Sequence, residues 1–242
     1  MTNRKSCALS IGVALVLALF GPTPVSAAAR PAGGETPANE VQKVDDSVRV
    51  LQEMMKESDK SVPIRLLERS AGIAIIPDVV KAAFVVGGRH GRGIVCVRGR
   101  DGAWSDPVFI GITGVSVGWQ VGVQSADIIL VFRTERSLEN FTRGKFTLGA
   151  DAGVAAGPLG RSAEASTDAE LKAEILSYSR SRGLYVGLSL QGASLYVDAK
   201  ADESFYGVKG IVPKTIFEGK VSGVPAAAAK LRQALGAFSA AK

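Results

Sequence analysis

The chain has 242 residues, a formal net charge of +6, a pI near 9.4 and a mean hydropathy of +0.18. This length is enough for one domain with a sizeable core. The mildly basic balance favours anionic partners and carries no information about fold. After the N-terminal segment no stretch is apolar for 18 residues, so we expect no membrane-spanning helix there.

Residues 1–27 have the order of features of a secretory signal peptide. Arg4 and Lys5 precede an uncharged, mostly apolar run over residues 7–20, and small residues lead to a cleavage site after Ala27. We therefore expect an exported protein that is periplasmic, associated with the outer membrane or secreted. Cleavage lowers the net charge from +6 to +4, since this segment contains two basic residues and no acidic one.

Residues 28–39 are rich in Ala, Pro, Gly and polar residues, which predicts a flexible leader. The remaining residues, 40–242, are predicted to form a single domain. Its one cysteine, Cys96, cannot form an internal disulfide, so the fold must depend on its core. Because Cys96 lies in an apolar run typical of a strand, we expect a buried thiol that packs as a small hydrophobic side chain.

The first predicted element of the domain is an amphipathic helix. Val41, Val44, Val48, Leu51 and Met55 follow a 3,4,3,4 spacing that places them on one helical face, opposite mixed charges. The simplest interpretation is a helix docked on a core.

Five more helices are predicted from caps and periodicity. A short helix over residues 61–70 is predicted with Ser61 as its cap and Pro63 in its first turn. Thr134 is predicted to cap a helix that extends to Arg143. Closing helices are predicted over residues 203–206, 213–217 and 225–238.

Between these helices the pattern is typical of strands. Residues 115–123 alternate large apolar and small residues, which indicates a strand with one small face that another backbone can approach closely. The predicted strands cover residues 72–77, 81–86, 94–98, 104–113, 115–123, 128–132, 146–156, 174–179, 184–190 and 194–199. The fold class predicted is α+β and β-rich: an antiparallel barrel- or sandwich-like sheet with N-terminal amphipathic helices and short C-terminal helices.

A glycine-rich cluster at residues 87–93 (GGRHGRG) has two interpretations. It lacks the ending of a Walker A loop, and no helical pattern follows it, so it does not predict a nucleotide site. The structural interpretation is a tight turn whose glycines take positive φ. The functional interpretation is a cradle of backbone N–H groups, flanked by Arg89 and Arg92, that holds a phosphate.

Residues for catalysis are scarce. The single histidine, His90, gives no basis for a catalytic triad or a zinc site, and no Gly-x-Ser-x-Gly motif is present. Asp127 precedes an apolar strand, where a turn or cap carboxylate is the preferred interpretation over a general base. We therefore expect a protein that is not an enzyme and holds neither a metal nor another cofactor, with an unrecognised active site as the minor alternative.

Seven stretches, in order, resemble the SYLF family, also called the Ysc84 actin-binding domain. They are AGIAIIP with VKA at residues 71–77 and 80–82, FVVGG at 84–88, GWQVG at 118–122, DIILV at 127–131, AAGPLGR at 155–161, YSRSRGL at 178–184 and FYG at 205–207. The resemblance extends from about Pro63 to Gly207. It implies a β-rich lipid-binding module, similar to eukaryotic relatives that bind phosphoinositides and in some cases actin. An exported protein would not meet actin, and phosphoinositides are scarce in bacteria, so another anionic lipid is the expected partner.

The predicted function is peripheral binding of anionic phospholipid or phosphoinositide-like headgroups in the bacterial cell envelope. The candidate lipid-binding residues are Lys43, Lys56, Lys60, Arg65, Arg69, Arg89, Arg92, Arg180 and Arg182. The alternative is an envelope structural or protein-interaction module without a specific lipid ligand, and other envelope proteins are candidate partners in either case. Nucleic acid is not an expected partner, because export removes the target and no aromatic-basic motif is present.

Overall fold

Two long strands, β1 (Gly72–Val97) and β2 (Val108–Phe132), form an antiparallel hairpin that organises the fold in this computed structural model. The structure describes residues 36–56, 61–142, 144, 146–159, 173–181, 184–185 and 190–239. The predicted signal peptide, most of the predicted leader, Lys60 and Arg182 lie outside the described residues.

The hairpin curls back on itself. A straight strand of 26 residues would span about 85 Å. Instead, the N–H of Arg98, just after β1, donates to the carbonyl of Ala71, just before β1, at 2.8 Å. The two ends of one strand are therefore neighbours, and the first and last parts of β1 pack on each other.

The part of the chain that the structure describes adds five shorter strands to a mixed, strongly curled sheet. They are β3 (Phe146–Thr147), β4 (Val154–Ala156), β5 (Ile175–Ser181), β6 (Leu184–Tyr185) and β7 (Ser194–Val197). β7 pairs with β2 at residues 110–113 and β5 pairs with β2 at residues 127–132. The predicted α+β, β-rich class is confirmed. All strand pairs are antiparallel except β4 with β5, which are parallel.

Pro77 does not end a strand as its sequence context predicts, because the chain continues through a bulge. The pairing register with β2 shifts between Ile76 and Val79, and Asp78 adopts a positive φ of 52°. The Asp127 carboxylate accepts a hydrogen bond from the N–H of Asp78 at 3.1 Å. Asp127 thus lies within β2 and not in a turn, and its carboxylate stabilises the bend of β1 by accepting from the bulge.

The glycine-rich cluster is not a turn, so that prediction is wrong. Residues 87–93 form regular antiparallel pairs with residues 110–116, and the positive-φ glycines of the described chain lie elsewhere. A Cβ on Gly93 would lie 2.7 Å from the Cα of Ile76. Gly93 therefore serves a close backbone approach, which lets the two parts of β1 meet.

Within the described residues six helices cover the sheet: α1 (Pro37–Met55), α2 (Ile64–Glu68), α3 (Glu135–Thr142), α4 (Ala199–Tyr206), α5 (Pro213–Phe217) and α6 (Ala226–Ser239). α1 begins at Pro37, three residues earlier than Glu40, because proline is well suited to the first helical turn. Pro63, not Ser61, is the N-cap of α2, so the predicted cap is wrong. The predicted Thr134 cap is confirmed, since its hydroxyl accepts from the N–H of Ser137.

α1 docks on β1, α4 and α6 through its apolar face, as its periodicity predicts. Val44, Leu51 and Met54 are fully buried there. Cys96 is also buried in the core, and burial raises the pKa of its thiol far above the ordinary value. The expectation of an inert, buried thiol at this position is confirmed.

Candidate functional site

The second helix presents an exposed patch of predicted lipid-binding residues, which we call the α2 patch: Ile64, Arg65 and Arg69. Arg65 and Arg69 are exposed and lie four residues apart, about one helical turn. Ile64 is 49% exposed beside them. The patch therefore combines two guanidinium groups with one apolar side chain.

Arg98 holds this patch in place from the end of the long hairpin. Its Nη1 donates to the carbonyls of Leu67 at 3.0 Å and Glu68 at 2.7 Å, at the end of the helix. The Leu67 carbonyl also accepts from the Ser70 hydroxyl at 2.7 Å. The guanidinium also lies over the ring of Trp104, 5.7 Å from its centroid. A five-residue helix is only marginally stable by itself, so these contacts give the α2 patch a fixed position.

Two further candidates belong to the first helix. Lys56 is exposed at the end of α1, and Lys43 is half-buried along it. The neighbouring apolar side chains, Val44 and Val48 among them, contact the core and cannot enter a bilayer while α1 is docked. The apolar face of this helix therefore serves the core, as its predicted docking requires.

Arg92 is an internal ion-pair partner. Its guanidinium lies 3.0 Å from Glu40 of α1 and 3.1 Å from Asp198, the N-cap of α4. Burial opposes the charge of Arg92, but the two carboxylates outweigh burial and raise the pKa of this guanidinium. Because Glu40 is fully buried, the pair joins α1, β1 and α4 inside the protein.

Asp202 of α4 lies next to this ion pair and is fully buried. One carboxylate oxygen accepts from the backbone N–H of Phe109 at 2.8 Å, and the other has no hydrogen-bond partner. Burial raises the pKa of Asp202 to about 8, and the nearby carboxylates of Asp198 and Glu40 raise it further than burial alone would. The Asp202 carboxyl is therefore mostly protonated at neutral pH.

Neither Arg180 nor Arg89 adds to the α2 patch. Arg180 pairs with Glu53 of α1 at 3.2 Å, and Arg89 is only 9% exposed, which lowers the pKa of its guanidinium. The phosphate cradle proposed for residues 87–93 needs a turn-like backbone, and the backbone there is extended. The predicted residues thus do not form one surface: the structure groups Arg65 with Arg69 and places Arg89, Arg92 and Arg180 elsewhere.

Sequence reasoning missed an exposed apolar face on the long hairpin. We call residues 79–88 of β1 and 115–126 of β2 the β1–β2 ribbon. Val80, Val115 and Val123 are 43%, 74% and 74% exposed there. The alternation in this stretch predicts a strand correctly, but alternation alone does not tell which face is covered.

The described part of the chain contains no group of three or more His, Cys, Asp and Glu side chains placed to hold a metal ion. Among the same residues, no helix is both long enough and apolar enough to cross a membrane. His90 is exposed on β1 and not in a turn.

The fold defines an α+β domain built on a strongly curled sheet. A family model described as Ysc84, "Las17-binding protein actin regulator", matches residues 113–238, which is more than half of the chain. The chain belongs to this family, as its resemblance to the SYLF domain predicts. The family description names binding and regulation.

Individual relatives give the same assignment. The chain is 37% identical to the protein YSC84 of Saccharomyces cerevisiae over 194 residues, which is 77% of this chain and 41% of the yeast protein. It is 37% identical to LAS seventeen-binding protein 3 of the same yeast over 172 residues, 70% of this chain and 37% of that protein. It is 35% identical to the human SH3 domain-containing YSC84-like protein 1 over 176 residues, 70% of this chain and 51% of that protein. The chain thus spans about half or less of the length of these relatives.

Proposed function

We propose that the protein is a non-catalytic, peripheral binder of anionic phospholipid headgroups in a bacterial-type cell envelope. The observation that supports the proposal best is the α2 patch, which combines the exposed arginines Arg65 and Arg69 with the exposed Ile64. Peripheral membrane binding commonly combines these two contributions: apolar side chains enter the interface and cations attract anionic lipids.

The arrangement of the two arginines suits phosphate. Like charges one helical turn apart destabilise a helix by a few tenths of a kcal/mol, and an anion between them removes that cost. A guanidinium group binds phosphate oxygens in a bidentate geometry. Each basic residue near an anionic surface contributes about 1 kcal/mol, and salt screens this contribution.

Two further considerations support the proposal. The sequence resemblance implies a lipid-binding module, and the family is one of binding and regulatory proteins. The predicted signal peptide would deliver the protein to a compartment bounded by phospholipid. Export and the envelope location are part of this proposal.

The first prediction tests the α2 patch by vesicle co-sedimentation. Binding to vesicles of phosphatidylglycerol and phosphatidylcholine is expected to exceed binding to phosphatidylcholine alone, and to weaken as NaCl rises from 50 to 500 mM. The R65E/R69E variant is expected to bind the anionic vesicles at least about tenfold more weakly. The matched control is K200E/K209E, which reverses two exposed lysines at and beyond α4 and changes net charge equally.

Two results would contradict the proposal. One is equal or absent binding of the wild-type chain on anionic and neutral vesicles. The other is an equal loss in R65E/R69E and K200E/K209E, which would mean that only net charge matters.

A second candidate is an envelope protein-interaction module. The names of the yeast relatives, which include binding of LAS seventeen, favour a protein partner. This candidate predicts no preference for anionic vesicles, together with capture of one defined partner from an envelope extract that R65E/R69E does not weaken.

A further inference from the structure

Arg98 joins three segments of the fold through its guanidinium group. Beyond its bonds to α2, its Nη2 donates to the carbonyl of Ser239, at the end of α6, at 3.4 Å. Its Nε donates to the carbonyl of Gly102, in the loop between β1 and β2, at 3.2 Å. A cation is favoured at the C-terminal end of a helix, and Arg98 lies at two such ends. The acceptors in these bonds are all backbone carbonyls, so Arg98 fixes the main chain of each segment.

The α2 helix depends on contacts from outside, because it has only five residues. Little more than one helical turn gains few hydrogen bonds against the cost of ordering it. The N-cap, Pro63, makes no side-chain hydrogen bond to the helix. Leu67 is buried and fixes which face of α2 points to the core, but the end of the helix needs a further contact. Arg98 provides that contact.

The bond to Glu68 bears directly on Arg69. The Glu68 carbonyl, which accepts from Arg98 Nη1 at 2.7 Å, belongs to the same planar peptide unit as the backbone nitrogen of Arg69. Fixing this carbonyl therefore fixes the direction in which the chain enters Arg69, the C-cap of α2. Because Arg65 lies about one turn earlier, the separation of the two guanidinium groups of the α2 patch depends on this bond.

Buried neighbours hold Arg98 itself. Its guanidinium group lies over the Trp104 ring, and the Trp104 indole N–H donates to the Ser239 hydroxyl at 2.8 Å. Trp104 and Ser239 are both buried. Most N–H groups of the guanidinium are directed at carbonyls within the fold, so few remain for a ligand. Arg98 is therefore suited to hold the α2 patch and not to bind phosphate directly.

We infer that Arg98 is a positioning residue for phosphate binding by the α2 patch, because it keeps Arg65 and Arg69 at the spacing at which both reach one headgroup phosphate. The inference rests on the proposed function and deepens it, since it assigns the geometry of the site to a residue that does not touch the lipid. A pair of guanidinium groups that is already ordered binds more tightly than one that must be ordered on binding.

Arg98→Lys separates this role from an effect of charge. Lysine keeps the positive charge, but its ammonium group cannot bind several carbonyls in the planar geometry of a guanidinium group. If Arg98 acted on anionic lipid through its charge alone, R98K would bind like the wild type. If Arg98 acts by positioning, R98K loses affinity although the net charge is unchanged.

The second prediction measures R98K with the full chain and vesicles of equal parts phosphatidylglycerol and phosphatidylcholine at 150 mM NaCl. R98K is expected to bind about fivefold more weakly than the wild type, because the two arginines of the α2 patch no longer act together. The matched control is R232K, the same exchange at an arginine of α6 whose guanidinium group pairs with Asp106. R232K is expected to bind like the wild type, and circular dichroism and Tm check that both variants are folded.

Hydrogen exchange gives a local readout of the same contact. The backbone N–H groups of Leu66 and Leu67 donate to the carbonyl of Pro63 at 3.0 and 3.3 Å. These amides are expected to be protected in the lipid-free wild type and to exchange faster in R98K, whereas the amides of β5 should keep their wild-type rates. Unprotected α2 amides in the lipid-free wild type would mean that α2 is not ordered before binding, which contradicts the inference even if R98K does not fold.

A double-mutant cycle tests whether Arg98 acts through the α2 patch. In the R65Q/R69Q background, R98K is expected to cause no further loss of vesicle binding, because the guanidinium groups that Arg98 positions are gone. The cycle is measured at 50 mM NaCl, where weak electrostatic binding is strongest. An equal loss in both backgrounds would mean that Arg98 acts on the fold as a whole, and the inference would be wrong.

The outcomes separate this inference from the proposed function. If the wild-type chain prefers anionic vesicles and R98K binds them equally well, the inference is wrong and the proposed function stands. If the wild-type chain shows no preference for anionic vesicles, both are wrong. If R98K and R232K lose affinity equally, the effect is not specific to the contact with α2, and the inference is wrong.

Discussion

At the scale of single residues, Arg92 is a predicted lipid-binding residue that instead forms ion pairs within the fold. Its two carboxylate partners come from Glu40 and Asp198, which are 52 and 106 residues away in the chain. Removing one member of a buried ion pair leaves the remaining charge with the full cost of its burial. Arg92 is therefore expected to act on stability and not on lipid binding.

The third prediction follows from this arrangement. Arg92→Met is expected to lower the free energy of unfolding by about 3 kcal/mol, because buried Glu40 loses its ion pair. Urea unfolding at neutral pH measures the change, and anionic vesicle binding of the folded variant is expected to stay within about twofold of wild type. The control Arg100→Met, in the exposed loop after β1, should change stability by less than about 0.5 kcal/mol. A stability change in R92M no larger than that of the control would contradict the prediction.

At the scale of elements, β1 shows why a local pattern misplaces a turn. Glycine occurs in turns because it tolerates positive φ, but it also occurs where another backbone comes close. Gly91 and Gly93 belong to the second case: added Cβ atoms would contact Val79, Ile76 and Ile112. The sequence shows a glycine whether it serves a turn or a close backbone approach. The curl of the hairpin determines which of these two roles Gly91 and Gly93 have.

The fourth prediction compares two glycines of the same strand. Gly93→Ala is expected to destabilise the fold by about 2 kcal/mol or more, because its Cβ would lie 2.7 Å from the Cα of Ile76 and the backbone would have to shift. Gly88→Ala is the matched control: nothing lies within 4 Å of its added Cβ, so stability should stay the same or rise by less than 1 kcal/mol. Thermal unfolding of both variants measures the difference. Equal values of Tm would show that the two parts of β1 are not in close contact.

The sequence predicted those features of the fold that depend on near neighbours. The α1 periodicity and the Thr134 cap need only residues within one or two turns, and both are present. The merging of three predicted strands into β1 depends on pairing with β2, whose partner residues are between 13 (Val95 with Val108) and 60 (Gly72 with Phe132) positions away in the chain. The same difference between near and distant neighbours applies to the candidate site. Exposure of Arg65 and Arg69 was predictable locally, whereas the ion pairs of Arg92 and Arg180 come from distant parts of the chain.

At the scale of the whole molecule, polar contacts inside the protein join segments from both halves of the chain. Glu40 near the start of the described chain meets Arg92 of β1, and Asp202 of α4 accepts from the backbone of Phe109 in β2. At the end of α6, the hydroxyl of Ser239 accepts a hydrogen bond from the indole N–H of Trp104 at 2.8 Å. Asp202 lies near Glu40 of α1 and Asp198, the N-cap of α4. Protonation of the Asp202 carboxyl group is thus coupled to the association of α1, α4 and the sheet.

The fifth prediction concerns the pH dependence of stability. The pKa of Asp202 is about 8 in the folded protein, because of burial and the neighbouring carboxylates, against about 4 in an unfolded chain. Between these values the folded state holds a proton that the unfolded state has released. The contribution of Asp202 to the free energy of unfolding is therefore fully present below pH 4 and declines as pH rises toward 8, by up to about 1.4 kcal/mol per pH unit.

Asp202→Asn tests this directly, because the amide oxygen can still accept from Phe109 N–H while no proton is exchanged. Urea unfolding from pH 5 to 9 should give a shallower decline for the variant than for wild type, and other titrating groups cancel in the difference. The relative stability of the variant is expected to rise with pH up to about 8 and then to level off. Parallel curves for the two proteins would mean that Asp202 is already ionised in the native state, with a cation or water compensating its buried charge.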